Sequence, residues 1–318
     1  KLATIEYRPL GVIGVIAPWN YPLQNLLGPV IPALMAGNAC VVKPSEWVAW
    51  SSERIGRFVG DVLGEAGQPP ELLSLVQGYA ETGQALVGAG VEKIVFTGSV
   101  PNGRKIITAS AANLVPLILE LGGKDAFIVC DDAELEQAVH AALAGVFINA
   151  GQNCLAAERF LVFDGIYDRF EQRALELAGR LRQGRQDGRE PVDLGAMVSP
   201  LQVDLVERMV ARAVAQGARV LLGGQRHREV PGQFYPPTIL ADVTPEMEIM
   251  HEELFGPVML LCRVRGEDQA IAVANDTAFG LCATVLTRDP ARARRIGRRL
   301  VTGGVSVNDF GLTYMAQE

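Results

Sequence analysis

The chain has 318 residues, enough for a large core and for two domains. Its 49% hydrophobic and 20% charged residues describe a soluble globular protein, and a net charge of −7 excludes the clustered positive surface that nucleic-acid binding needs. Five widely spaced cysteines without a Cys-x-x-Cys pair exclude a disulfide framework and point to a reducing, cytoplasmic setting, and His140, His227 and His251 form no metal-ligand pattern.

In chain order, Val/Ile-rich runs at 11–16, 39–42, 72–76, 93–96 and 116–119 are predicted strands. Helices are predicted between them at 26–35, 51–65, 81–88 and 103–112. Apolar strands separated by helices indicate a parallel sheet covered on both faces, with ligands at the carboxyl ends of its strands. The uncharged stretch 9–42 carries five prolines and several amide side chains, which lipid would leave unpaired; it reads as a buried strand, turn and helix. Gly122-Gly123 reads as a hinge between two α/β lobes.

Beyond it the predicted elements are a strand at 127–130, a helix over 133–149, a strand at 159–163 and an exposed loop at 184–190. Helices at 202–216 and 290–299 flank strands near Val220, at 258–262 and at 283–286. The Arg-rich stretch 288–299 reads as a solvated helix face. The chain begins at Lys1, so any targeting signal or anchor upstream lies outside this reading.

Cys40, Cys130, Cys262 and Cys282 sit in apolar runs and read as small core side chains. Cys154 instead ends Asn149-Ala150-Gly151-Gln152-Asn153-Cys154, where small and amide residues supply donors and little bulk. Such surroundings let a thiolate be reached and stabilised, so Cys154 is the candidate nucleophile. Glu120 ends the apolar run Pro116-Leu117-Ile118-Leu119-Glu120; hydrophobic neighbours there should raise its pKa and suit it to general-base work, although an edge glutamate facing water fits equally. Asn20, in Pro18-Trp19-Asn20-Tyr21-Pro22, has an amide that could donate to an oxyanion, or could serve only the turn.

Lys43-Pro44-Ser45-Glu46 follows the second strand. Lys43 there could bond ribose hydroxyls, and Glu46 could accept from an adenosine ribose 2′-OH and repel a 2′-phosphate, favouring NAD over NADP. The same string also suits a helix cap at Ser45. Phe96-Thr97-Gly98-Ser99 leads from a strand into a helix start fit for a pyrophosphate, without matching G-x-G-x-x-G. Glu253-Leu254-Phe255-Gly256-Pro257 taken alone reads as a solvated acidic loop.

Six strings in this order resemble those of the NAD(P)-dependent aldehyde dehydrogenases: Pro18-Trp19-Asn20, Lys43-Pro44-Ser45-Glu46, Phe96-Thr97-Gly98-Ser99, Glu120-Leu121-Gly122-Gly123-Lys124, Gly151-Gln152-Asn153-Cys154 and Glu253-Leu254-Phe255-Gly256-Pro257. The resemblance covers essentially the whole chain. It implies an aldehyde-dehydrogenase-like α/β fold, with a Rossmann-type parallel-sheet cofactor domain over 1–121 and an α/β catalytic domain over 122–318. The first is expected to lack its N-terminal part and the second its C-terminal tail, as in an internal fragment of a homodimeric or homotetrameric parent.

By the same resemblance Cys154 attacks the aldehyde, Asn20 and the Cys154 backbone N–H hold the oxyanion, and Glu120 activates water against the thioester. NAD, with NADP as the alternative, would be held by Trp19, Lys43, Ser45, Glu46, Gly98, Ser99, Leu121, Gly122, Glu253 and Phe255, with no metal. The partner is a small-molecule aldehyde, with neither nucleic acid nor membrane evident in this segment. Asn153 is an uncommon residue before the nucleophile, loosely like a plant and fungal branch. The competing readings are a CoA-acylating relative, a non-catalytic protein keeping the fold, and a cysteine hydrolase.

Overall fold

The computed structural model describes residues 3–185, 187–188, 190–228 and 231–310. The chain divides into two compact units, Lys1–Leu121 and Gly122–Glu318, with the boundary at the glycine pair.

The first unit is a five-stranded parallel sheet in the order β3-β2-β1-β4-β5. Its strands are β1 Val12–Ala17, β2 Ala39–Pro44, β3 Leu73–Leu75, β4 Lys93–Thr97 and β5 Leu117–Glu120. Helices α1 Pro22–Met35, α2 Ala49–Glu65, α3 Ala80–Gly88 and α4 Val100–Ser110 connect them. Alternate side chains of each strand point to opposite faces. Ile13, Val15, Cys40 and Val42 pack with Leu26 and Val30 of α1, whereas Ile94 and Phe96 pack with Leu86 and Val87 of α3. Pro22 at the start of α1 costs no hydrogen bond, whereas Pro29 and Pro32 lie inside the helix and remove donors there. The expected cover on both faces fails at the edge: among the described residues β5 pairs only with β4, and its Ile118 is exposed.

The second unit is a seven-stranded sheet in the order β12-β11-β6-β7-β10-β9-β8. Its strands are β6 Asp125–Val129, β7 Ala157–Phe163, β8 Arg219–Leu222, β9 Thr238–Ala241, β10 Val258–Val264, β11 Cys282–Leu286 and β12 Gly304–Val307. All neighbours are parallel except β8 and β9. Helices α5 Leu135–Phe147 and α6 Asp164–Ala178 cover one face, packing on Phe127, Phe160, Val162, Met259 and Leu261. Helices α7 Pro200–Ala215, α8 Glu267–Asn275 and α9 Pro290–Gly297 cover the other, over Ile128, Leu161, Leu260, Cys262 and Val285. β6 and β7 are buried along their whole length, so apart from Asp125, Glu158 and Arg159 near their starts they are apolar with little alternation.

Two expectations differ from the structure, and a third falls partly outside the described residues. α9 is not simply a solvated face: Ala293 and Ile296 are buried, and Arg292 bridges Asp131 at 2.7 Å, Asp132 at 2.9 Å and Glu267 at 3.1 Å. Cys282 is half-buried rather than a core residue, at the first position of β11, where the strand emerges from a turn. The exposed loop expected at 184–190 includes Gln186 and Arg189, which lie outside the described residues; the rest of that stretch is irregular. Among the described residues no helix is long and apolar enough to cross a membrane.

Phe127 and Phe160 are fully buried on adjacent central strands, with ring centroids 5.1 Å apart. Phe127→Ala removes this contact and leaves a cavity that strands on both sides cannot fill. It should cost about 3–5 kcal/mol, read as a lowered denaturation midpoint at unchanged slope.

Candidate active site

In the first unit the candidate residues gather where parallel strands end. β1 leads to Trp19 and Asn20, β2 to Lys43, Ser45 and Glu46, β4 to Gly98 and Ser99, and β5 ends on Glu120, followed by Leu121. Thr97 lies opposite Glu120 in the register, and Gly98 N–H donates to the Glu120 carbonyl at 3.0 Å. The chain runs from β1 outward through β2 to β3, then crosses to β4 and β5 on the other side of β1, and such a switch in strand order is where open parallel sheets bind ligands at their carboxyl ends.

Local bonding refines several roles. Asn25 Nδ2 donates to Asn20 Oδ1 at 3.2 Å, which commits the Asn20 carbonyl and orients its amide. Lys43 is buried and reaches Glu46 at 3.5 Å, while Glu46 itself is exposed. Ser45 accepts from Trp47 N–H at 3.4 Å, so the capping role is real. Ser99 is the N-cap of α4, although its side chain makes no capping bond. A cavity of about 730 Å³ is lined by Ile16, Lys43, Glu46, Val87, Phe96 and Lys105, among others.

The second unit assembles its candidates at the opposite end of its sheet. Cys154 precedes β7, Glu253 to Pro257 precede β10, and Gly122 to Lys124 precede β6, all at amino ends of strands. The carboxyl-end rule therefore describes only the first sheet. Asn149, Ala150 and Gly151 take successive left-handed conformations, with φ of 51°, 55° and 71°. That reversal brings Gly151 against Gly256, where an added Cβ would lie 2.2 Å from the Gly256 oxygen. Gln152 fixes the turn: its Nε2 donates to the Asn149 carbonyl at 3.0 Å and its Oε1 accepts from Val198 N–H at 2.8 Å. The Cys154 segment and the Glu253 turn are thus interlocked through backbone.

Glu253 does not lie in a solvated loop. Leu254, Gly256 and Pro257 are buried, and Gly123 N–H donates to Glu253 Oε1 at 3.2 Å. A Cβ on Gly122 would stand 2.4 Å from Glu253 Oε2, so only glycine lets this carboxylate sit there. Burial pushes the Glu253 carboxyl up to about 7, with the Glu158 carboxylate adding to it and the Gly123 N–H opposing.

The surroundings expected to stabilise a Cys154 thiolate are not what the fold supplies. Burial pushes the thiol up to about 11, and the carboxyls of Asp125 and Glu253 add to the effect against backbone N–H groups of Cys154 and Leu155. The Cys154 thiol donates to Asn153 Oδ1 at 3.8 Å, a contact that favours the protonated form. Asn153 itself is 2% exposed and accepts from Leu155 N–H at 3.1 Å.

Four buried charged residues escaped the sequence reading as functional. Lys124, Asp125, Glu158 and Arg159 are each no more than 5% exposed. Glu158 and Arg159 interrupt an otherwise apolar strand, a usable signal because charges are seldom buried unless paired. Lys124 Nζ donates to Glu158 at 2.5 Å, and Arg159 donates to the carbonyls of Lys124, Val273 and Ala274, each at 2.8 Å. Burial holds the Asp125 carboxyl well above the usual range; its Oδ1 accepts from Cys282 N–H at 3.1 Å, and its Oδ2 has no partner among the described residues.

The chain belongs to the aldehyde dehydrogenase family, whose model matches residues 1–317. It is 41% identical over 317 residues to a putative aldehyde dehydrogenase-like protein of Schizosaccharomyces pombe, covering 98% of this chain and 60% of that one. Among solved structures it is similar to lactaldehyde dehydrogenase from Escherichia coli, at 40% identity and a TM-score of 0.90, covering 95% of this chain and 63% of that one. It is also similar to betaine aldehyde dehydrogenase from Staphylococcus aureus in complex with NAD+, at 34% identity and a TM-score of 0.88, covering 95% and 60%. The chain thus has the family's fold and spans about three fifths of the length of these relatives.

With the thiol raised to about 11, the thiolate fraction grows about tenfold per pH unit throughout the neutral range. Alkylation of Cys154 by iodoacetamide should therefore climb steadily from about pH 7 to about pH 10 and exceed that of the buried Cys40, Cys130 and Cys262. Peptide mass spectrometry reads both; a rate already level at neutral pH would contradict this site geometry.

Proposed function

We propose that the chain carries the chemistry of an NAD(P)-dependent aldehyde dehydrogenase that oxidises an aldehyde to the free carboxylic acid. The observation that carries the reading is the half-buried Cys154 just after a left-handed turn at 149–151 locked to the Glu253 segment, whose carboxylate lies over Gly122 and Gly123.

The first unit's cavity, about 730 Å³, is of a size that holds small-molecule ligands. Val87, Phe96 and Ile16 offer apolar walls and Lys43 and Glu46 polar groups, a set that fits an adenosine ribose. On this reading Trp19, Lys43, Ser45, Glu46, Gly98, Ser99 and Leu121 bind the cofactor from the first unit, and Gly122, Glu253 and Phe255 from the second. The exposed Glu46 carboxylate favours NAD, since a 2′-phosphate would meet like charge. NAD, when bound, supplies the acceptor for a hydride.

Cys154 loses its proton and its sulfur adds to the aldehyde carbon, placing negative charge on the former carbonyl oxygen. The Asn20 amide and the Cys154 backbone N–H are assigned to that oxygen. Loss of hydride from the carbon leaves an acyl thioester on Cys154. Glu120 then takes a proton from water, the hydroxide adds, the carbon–sulfur bond breaks and the acid departs. A cytoplasmic, homo-oligomeric parent belongs to the same reading, supported by five free cysteines and by the family's motifs.

In the full-length protein Cys154→Ala should abolish NADH formation from aldehydes while NAD still binds. Glu120→Gln should release up to one equivalent of NADH per site and then stall. Steady turnover in either variant removes the corresponding role, and acceleration by added CoA would shift the acyl acceptor from water to a thiol.

A further inference from the structure

The charges buried in the second unit are not evenly used: Arg159 serves backbone carbonyls, but Glu158 serves the segment that carries Glu253. Glu158 is the second residue of β7 and is 2% exposed. A carboxylate in that position must have its charge met by donors. Three are present. Lys124 Nζ donates to Oε2 at 2.5 Å, Leu254 N–H reaches Oε2 at 2.9 Å and Oε1 at 3.1 Å, and Phe255 N–H donates to Oε1 at 3.0 Å.

The two backbone donors are consecutive, and the second residue, Phe255, is left-handed at φ 51°. Successive N–H groups turned to one side in this way form an anion-binding concavity. Here the anion is a side chain of the protein itself. The neighbouring residue on the same turn, Glu253, is bonded to Gly123 N–H at 3.2 Å, and Gly123 is adjacent to Lys124. The contacts therefore close a ring: Lys124 to Glu158, Glu158 to the turn, the turn through Glu253 to Gly123, and back to Lys124. Glu158 also lies four residues after Cys154, so the nucleophile's segment and the Glu253 turn share one anchor.

We propose that Glu158 is a positioning residue for cofactor binding: its carboxylate holds the Leu254–Phe255 backbone and thereby fixes where the Glu253 carboxylate and the Phe255 ring are presented. The inference rests on the assignment of Glu253 and Phe255 to the cofactor. A glutamine at 158 keeps the shape but sets an NH2 group against the donors of Lys124, Leu254 or Phe255. Loss of the negative charge, and not of volume, is then what the substitution reports. An aspartate keeps the charge with one methylene fewer and should restore part of the function.

The test compares the full-length wild type with Glu158→Gln and Glu158→Asp, using NAD itself as the probe. Calorimetry or fluorescence gives NAD affinity, steady-state kinetics the separate KM values, and hydrogen exchange the protection of the Leu254 and Phe255 amides. Glu158→Gln should weaken NAD binding at least tenfold, raise KM for NAD far more than KM for the aldehyde, and speed exchange at those two amides. Glu158→Asp should recover most of the NAD affinity. A Glu158→Gln protein with a lower Tm but wild-type NAD affinity and wild-type exchange at 254 and 255 would reduce the residue to a structural ion pair and overturn the proposal. If that variant does not fold, wild-type exchange decides: protection matching β7 and β10 upholds it, and open-loop rates overturn it. Failure of the wild type to bind NAD would instead strike the functional reading beneath.

Discussion

The contact between Lys124 and Glu158 governs the second unit. Two charges taken out of water gain little net stability from each other, and each is costly if the other is removed. Such a pair is therefore intolerant of rearrangement, which suits it to joining parts of the chain that lie far apart. Lys124 closes the Glu120-to-Lys124 string, Glu158 follows the Cys154 string by four residues, and the amides Glu158 receives belong to the Glu253 string, 96 residues further on. Three strings that local structure could not bring together meet on one carboxylate. Glycine makes the remaining approaches feasible, at Gly122 beneath Glu253 and at Gly151 against Gly256.

This anchoring also sets the electrostatics around the sulfur. Asp125 and Glu253 are carboxyls drawn upward by burial, and both disfavour a thiolate at Cys154. The resting arrangement disfavours negative charge: a thiol raised by burial and bonded towards Asn153, an Asp125 carboxyl held well above the usual range and a Glu253 carboxyl raised to about 7. A protected thiol resists adventitious oxidation and alkylation, because the thiolate is the reactive form. The cost is that removal of the thiol proton becomes part of the proposed chemistry.

Much of the first unit was legible because its strands are short apolar runs set between helical patterns; each predicted strand lies within about two residues of an observed one. In the second unit α6 went unread, although Ile166, Phe170, Ala174 and Ala178 are buried at every fourth position, a stripe that a helix requires. The four-residue strands β9 and β12 gave no periodicity, and α8 is short with two acidic residues at its start. Of the site, the motifs were visible as strings while their environment was not. Pairing of Glu158 with Lys124 depends on strand register, and nothing in Glu253-Leu254-Phe255 indicates that its amides point inward. The raised pKa of Cys154 follows from burial and from carboxyls brought close by folding, which residue types along the sequence cannot report.

The proposed chemistry requires a covalent bond at one sulfur, that of Cys154. Full-length protein mixed with NAD and an aldehyde, quenched in acid within the first turnover and digested, should yield the acyl mass on the peptide carrying Cys154 and on no other cysteine peptide. An acyl group found on Cys282 or another residue, or NADH formed in the same quenched sample with no acyl adduct at all, would contradict it.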